Sequence, residues 1–121
     1  HCFFYGTLMD PHTLARVLGV SSRPELHPAT VHGFRAKLWG EYPVLLRDES
    51  SAEAIHGMAY PFRSLAELRR LAAYETEMYR IEVGEATTDN NGSMVLAYVF
   101  VWDGEESLLR EGHFDLKDWQ L

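Results

Sequence analysis

The chain has 121 residues, 46% hydrophobic, 12% aromatic and 24% charged, with a formal net charge of −7 and one cysteine, Cys2. Such a length fits a single domain over residues 1–121 that buries roughly two-thirds of its unfolded surface, and the composition excludes a disordered chain. The acidic balance argues against a nucleic-acid partner, no run approaches the about 18 apolar residues of a membrane span, and a lone cysteine allows no internal disulfide. A cytoplasmic address follows as the default. The start at His1, inside a strand-like stretch, leads to the expectation that a few residues precede it.

Residues 2–5 are apolar and aromatic and read as a short buried strand ending at Gly6. Asp10-Pro11 is a helix start, an N-cap carboxylate with proline at the first helical position. Leu14, Val17 and Leu18 then keep helical spacing up to a stop at Gly19. Residues 21–28 form a polar loop with two prolines. Residues 29–39 turn strand-like, with Gly33 a bulge or bend, and residues 40–43 turn into the apolar run Val44-Leu45-Leu46. After a second turn at residues 48–51, residues 55–60 make another strand. Ser64 and Glu67 form a capping box that opens a second helix. Residues 79–88 and 93–102 are strands joined by Asp89-Asn90-Asn91-Gly92, where Asn-Gly is a strong hairpin signal. Gly104 begins a polar connection, and Asp115 caps a short final helix. Strands outnumber helices and do not alternate with them, which points to α+β. They are expected to curl into a small mixed β-barrel of about five to seven strands with two or three short helices.

Wound at about 100° per residue, the second helix puts Leu65, Leu68, Leu71 and Ala72 on one apolar stripe, with Glu75 inside it. A carboxylate there faces the core or a cavity. Without partners its ionised form is costly to bury, so it is paired, hydrogen-bonded or raised in pKa, and a raised pKa suits general acid/base work. The plainer alternatives are a pair with Arg80 or His56, or a frayed helix end that turns the side chain to water.

A second feature is Tyr5-Gly6-Thr7-Leu8, directly after the first strand. Glycine lets the backbone turn sharply and aim several N–H groups at one point, a nest for a carboxylate or an oxyanion. An ordinary strand-to-helix turn would use the same glycine. Tyr98 shares a strand face with Phe100 and Trp102, as a pocket wall or as packing. The six histidines show no metal-ligand spacing, so no metal and no cofactor is indicated. His12 reads as solvated, and His32 and His56 as hydrogen-bonded strand residues. No G-x-S-x-G elbow occurs, and Cys2 reads as an inert small hydrophobe.

Several segments also recur in a known order. They are Phe3-Phe4-Tyr5-Gly6-Thr7-Leu8-Met9, Val31-His32-Gly33-Phe34-Arg35 with Tyr42-Pro43-Val44-Leu45, and Ile55-His56-Gly57-Met58-Ala59-Tyr60. Leu71-Ala72-Ala73-Tyr74-Glu75 with Tyr79-Arg80 comes next, and Ala97-Tyr98-Val99-Phe100-Val101-Trp102 follows. Together they resemble the γ-glutamylcyclotransferase-like (AIG2-like) family over nearly the whole chain. The resemblance implies the family fold, Glu75 as the catalytic glutamate, residues Tyr5, Gly6, Thr7 and Leu8 as the substrate loop, and Tyr79 at the pocket wall. Two positions depart: Ala72 stands where Asp is usual, and Thr76 where Gly is frequent. The second bears on the substrate more than on the chemistry.

The activity implied is a metal-independent cyclisation of a small-molecule γ-glutamyl substrate, of the acyltransferase or lyase type. The α-amino group attacks its own γ-carbonyl, closes 5-oxoproline and expels the amine, with Glu75 as general acid/base. Two alternatives stand beside it: a related enzyme cleaving an amide of a secondary metabolite, and a non-catalytic member that binds a small amine or acid. Specificity is expected in the loops near residues 21–28, 40–43 and 104–113.

Overall fold

Cys2, Phe3 and Phe4 form the short strand on which the fold closes. In the computed structural model, which describes residues 1–75, 77–112 and 114–117, the elements run β1 (Cys2–Phe4), α1 (Pro11–Leu18), β2 (His27–Val31), β3 (Phe34–Trp39), β4 (Tyr42–Arg47), β5 (Ile55–Tyr60), α2 (Leu65–Glu75), β6 (Tyr79–Thr88) and β7 (Met94–Trp102). Single 3-10 turns lie at Thr7–Met9 and Glu106–Leu108. The barrel order is β1-β5-β2-β6-β7, closed by a parallel pairing of β7 with β1. Every other neighbour in the barrel is antiparallel. β3 and β4 pair as a separate hairpin whose Phe34 and Leu45 enter the barrel core. The molecule is an α+β mixed barrel.

Two apolar layers follow from the alternation of side chains on β1. Phe3 points into the barrel beside Val31, Ala59, Val99 and Val101. Cys2 and Phe4 point the other way, to Leu14, Leu18 and Leu71 of the two helices. Among the described residues, no helix is long and apolar enough to cross a membrane.

Local chemistry sets the helix ends. Asp10 caps α1 by accepting from the Thr13 N–H at 3.0 Å and the Thr13 hydroxyl at 2.8 Å, and Gly19 ends it in the left-handed conformation at φ 72°. At α2 the capping box is only half formed. The Ser64 hydroxyl accepts from the Glu67 N–H at 3.2 Å. The Glu67 carboxylate, however, accepts from the Tyr60 hydroxyl at 2.9 Å and the Arg63 N–H at 2.8 Å. Glu67 is consequently 7% exposed, while Leu65, placed on the apolar stripe, is 58% exposed. The stripe begins one turn later because α2 packs on the barrel through its second half, at Leu68 and Leu71.

Two boundaries differ from the sequence expectation. Residues 29–39 are two strands in two sheets, separated at His32-Gly33, where Gly33 takes φ 87°. Pro28 lies inside β2 and not in the loop before it. Its carbonyl accepts from the Asp89 N–H at 2.9 Å, and it precedes the stretch of β2 that pairs with β6, so its missing donor leaves no rung of that pairing broken. The Asp115 carboxylate accepts from the Lys117 N–H at 2.9 Å. The rest of the expected final helix, like Thr76 and His113, lies outside the described residues.

Candidate active site

A cavity of about 260 Å³ opens where β1 ends. Phe3, Phe4, Tyr5, Gly6, Thr7 and Leu8 line one side, and Trp39, Tyr42 and Pro43 of the β3–β4 hairpin line another. Tyr74 and Glu75 from the end of α2, Tyr79 from the start of β6 and Phe100 from β7 complete it.

The loop after β1 is held from both ends. A Cβ on Gly6 would lie 3.0 Å from Pro43 Cγ, so a side chain there would press on β4. The 3-10 turn closes through Met9 N–H to the Gly6 carbonyl at 3.0 Å and Asp10 N–H to the Thr7 carbonyl at 3.1 Å. The N–H groups of Gly6, Thr7 and Leu8 donate to no other backbone group among the described residues. First-turn donors are normally left free in this way, and these belong to residues that line the cavity.

Glu75 is the last residue of α2, one turn past the fully buried Leu71. The hydroxyls of Tyr74 and Thr7 meet at 2.7 Å, joining this helix end to the loop. The Arg70 guanidinium donates to the Leu18 carbonyl at 2.7 Å, joining α2 to the end of α1. Among the described residues no hydrogen bond or ion pair is made by the Glu75 carboxylate. Arg80 bonds Glu82 at 2.7 Å and Asp103 at 3.1 Å, and His56 bonds the Thr30 hydroxyl at 3.1 Å. Neither of the two partners considered from the sequence is therefore available to Glu75.

Burial pushes the Glu75 carboxyl up from 4.5 to about 7. Burial first, and then the Glu75 charge, push the Tyr5 and Tyr79 phenols upward. Both phenols stay protonated near neutral pH, and both are oriented. Tyr5 donates to the Phe100 carbonyl, and Tyr79 to the Pro43 carbonyl at 3.3 Å. Of the lining side chains, the one that changes charge near neutrality is Glu75. Among the described residues, no three His, Cys, Asp or Glu side chains group as metal ligands would.

The structure thus brings Tyr5, Gly6, Thr7, Leu8, Glu75 and Tyr79 to one cavity. Tyr98 is not among them. It sits two residues, about 7 Å, along β7 from Phe100. There it packs against the helix layer with its ring 5.8 Å from that of Phe62. Its shared strand face with Phe100 was a sound inference, but the cavity is shorter than that face.

Sequence reasoning missed Trp39, Tyr74 and Phe100 as cavity residues. Tyr42 and Pro43 fall in a loop expected to set specificity, and that loop does reach the site. Neither residues 21–28 nor the described part of residues 104–113 line it. The signal for Trp39 was its place just before the tight turn at Gly40, which has φ 60°.

The family model described as gamma-glutamyl cyclotransferase, AIG2-like, matches residues 2–121. No curated protein matches the chain. The solution structure of At3g28950.1 from Arabidopsis thaliana is similar at TM-score 0.76 and 26% identity, covering 98% of this chain and 71% of that one. That of At5g39720.1 from Arabidopsis thaliana is similar at TM-score 0.75 and 24% identity, covering 98% and 78%. A structure titled gamma-glutamyl cyclotransferase shares the fold at TM-score 0.66 and 11% identity, covering 87% of this chain and 67% of that one. The barrel is therefore shared across these structures, and with a family match running from Cys2 to Leu121 the chain belongs to the gamma-glutamyl cyclotransferase, AIG2-like family.

Proposed function

We propose that the protein cyclises a γ-glutamyl amide to 5-oxoproline and releases the free amine, with Glu75 as the proton carrier. One observation carries this reading: a carboxyl raised to about 7, without a hydrogen-bond or ion-pair partner among the described residues, lines the same cavity as first-loop residues whose N–H groups have no backbone acceptor among the described residues. A group titrating near neutrality is a base and an acid in turn at physiological pH.

In the reaction Glu75 takes a proton from the α-ammonium of the substrate. The freed amine attacks the γ-carbonyl carbon, a C–N bond closes the five-membered ring, and the carbonyl oxygen becomes an oxyanion. The N–H groups of Gly6, Thr7 and Leu8 are the donors that face it. They are fixed before the substrate arrives, so no reorganisation accompanies the step. On collapse the original amide C–N bond breaks, Glu75 returns its proton to the departing nitrogen, and the ring nitrogen gives up its second proton, which leaves with the amine as its ammonium. No water is consumed. Tyr5 and Tyr79 shape the wall around the folded substrate chain, since ring closure depends on holding amine and carbonyl together.

The test is release of 5-oxoproline from a panel of γ-glutamyl amides, followed by mass spectrometry. Glu75→Gln keeps the shape and removes the base, and kcat/KM is expected to fall by about 10²- to 10⁴-fold. Unchanged turnover in this variant would remove Glu75 from the mechanism. Saturable binding of an amide that is never turned over would make the protein a binder.

A further inference from the structure

We infer that the leaving amine carries an uncharged apolar or aromatic body and no carboxylate. This rests on the cyclotransferase reading above and concerns the part of the cavity that the glutamyl group does not need.

Rings dominate the outer wall. Trp39, Tyr42, Pro43 and Tyr74 supply it, from the hairpin and the end of α2. Among the described residues no Lys, Arg or His side chain lines the cavity, and its one ionisable acid is Glu75. Arg110 and Arg80, on flanking segments, are engaged elsewhere. The Arg110 guanidinium donates to the Gly40 carbonyl at 2.9 Å, and Arg80 is held by Glu82 and Asp103.

Most of the polar groups have a partner or a role, and the other two, the Tyr42 hydroxyl and the Trp39 indole N–H, carry no charge. The free N–H groups of the first loop serve the oxyanion, and the Tyr5, Tyr79 and Thr7 hydroxyls have protein partners. A second carboxylate, as on the leaving group of a γ-glutamyl amino acid or tripeptide, would enter a ring-lined wall with no cation among the described residues to meet it. An unpaired buried charge is strongly disfavoured, and the net charge of −7 adds long-range repulsion.

Size points the same way. At about 260 Å³ the cavity falls just below the roughly 300–1,000 Å³ of pockets for drug-sized ligands. That volume matches a glutamyl unit with one compact amine. Offset or edge-on stacking against Trp39 or Tyr42 favours an aromatic amine over an aliphatic one of equal size.

The experiment compares kcat/KM for the 2-phenylethylamide of the γ-carboxyl of glutamate, γ-glutamylglycine and glutathione, with 5-oxoproline as readout. The phenylethylamide is expected to lead the two carboxylate-bearing substrates by about tenfold or more. In Tyr42→Arg the lead should shrink by about tenfold, because a cation then stands at the mouth. Tyr42 is 53% exposed, so the folded barrel does not depend on its ring. Equal or better turnover of γ-glutamylglycine or glutathione by the natural sequence overturns the inference and leaves the cyclotransferase reading intact. So does a Tyr42→Arg variant with an unchanged ratio. No 5-oxoproline from any of the three, or from a wider panel of γ-glutamyl amides, overturns the cyclotransferase reading itself.

Discussion

A carboxyl that titrates at about 7 in place of 4.5 ties function to stability at one residue. Because the folded pKa lies above the unfolded one, the folded state binds more protons between these values, and stability falls as pH rises across the window. Below about 4.5 the side chain is neutral in both states and has no such cost. Above about 7 the whole cost is present, roughly 3 kcal/mol for a shift of this size. Glu75→Gln is therefore expected to melt several degrees higher than the natural sequence at pH 8 and at the same temperature near pH 4. A lower melting temperature at pH 8 would reveal an ion pair the carboxylate depends on. On the proposed mechanism the same group should give kcat/KM of the natural sequence an acid limb near pH 7, and a limb near 4.5 would mean a solvated side chain. Glu75 was legible in the sequence because helical phase needs only local spacing. Glu67 was not, since what buries it is the Tyr60 hydroxyl at the end of the preceding strand.

Among the elements, β5 makes the closest approach. A Cβ built on Gly57 would lie 2.1 Å from the Phe4 carbonyl oxygen and 2.7 Å from Phe3 Cζ. The first neighbour is backbone and cannot turn aside. Gly57→Ala is thus expected to separate β5 from β1 and cost about 3 kcal/mol or more, read from urea denaturation. A cost under about 1 kcal/mol would show that the β1–β5 register relaxes freely. Strand and helix ranges carried by periodicity, such as Ile55–Tyr60 and Tyr79–Thr88, were legible to the residue. The break between β2 and β3 was legible only as a bend at Gly33. Sheet membership is set by backbone partners, Gly57 and Thr88 for Ala29 but Arg47 for Phe34, and spacing within residues 29–39 does not carry that. Tyr98 illustrates the same limit for the site: its face could be read, but not the Phe62 ring that covers it.

Closure is a property of the whole molecule. The sequence displayed strands and one hairpin, but nothing local joins residue 2 to residue 98, and that parallel pairing is what turns a curved sheet into a barrel. β1 is only three residues long, yet Cys2 pairs with Tyr60 on one side and Tyr98 on the other. A closed barrel has no edge from which a strand can peel. Cys2 is 0% exposed, and burial pushes its thiol up to about 12, so the reactive thiolate does not form in the folded state. Alkylation of Cys2 then requires β1 to leave both neighbours, which removes Phe3 from the barrel core, Phe4 from the helix layer and the anchor of the substrate loop together. Labelling in rising urea should accordingly share its midpoint with the loss of far-ultraviolet circular dichroism and, on the proposed activity, with the loss of 5-oxoproline formation. If Cys2 were modified well below that midpoint while the dichroism held, the strand would be detaching from a sheet that stays folded without it. The cavity would then be the least stable part of the molecule, and activity should disappear with labelling and not with the barrel.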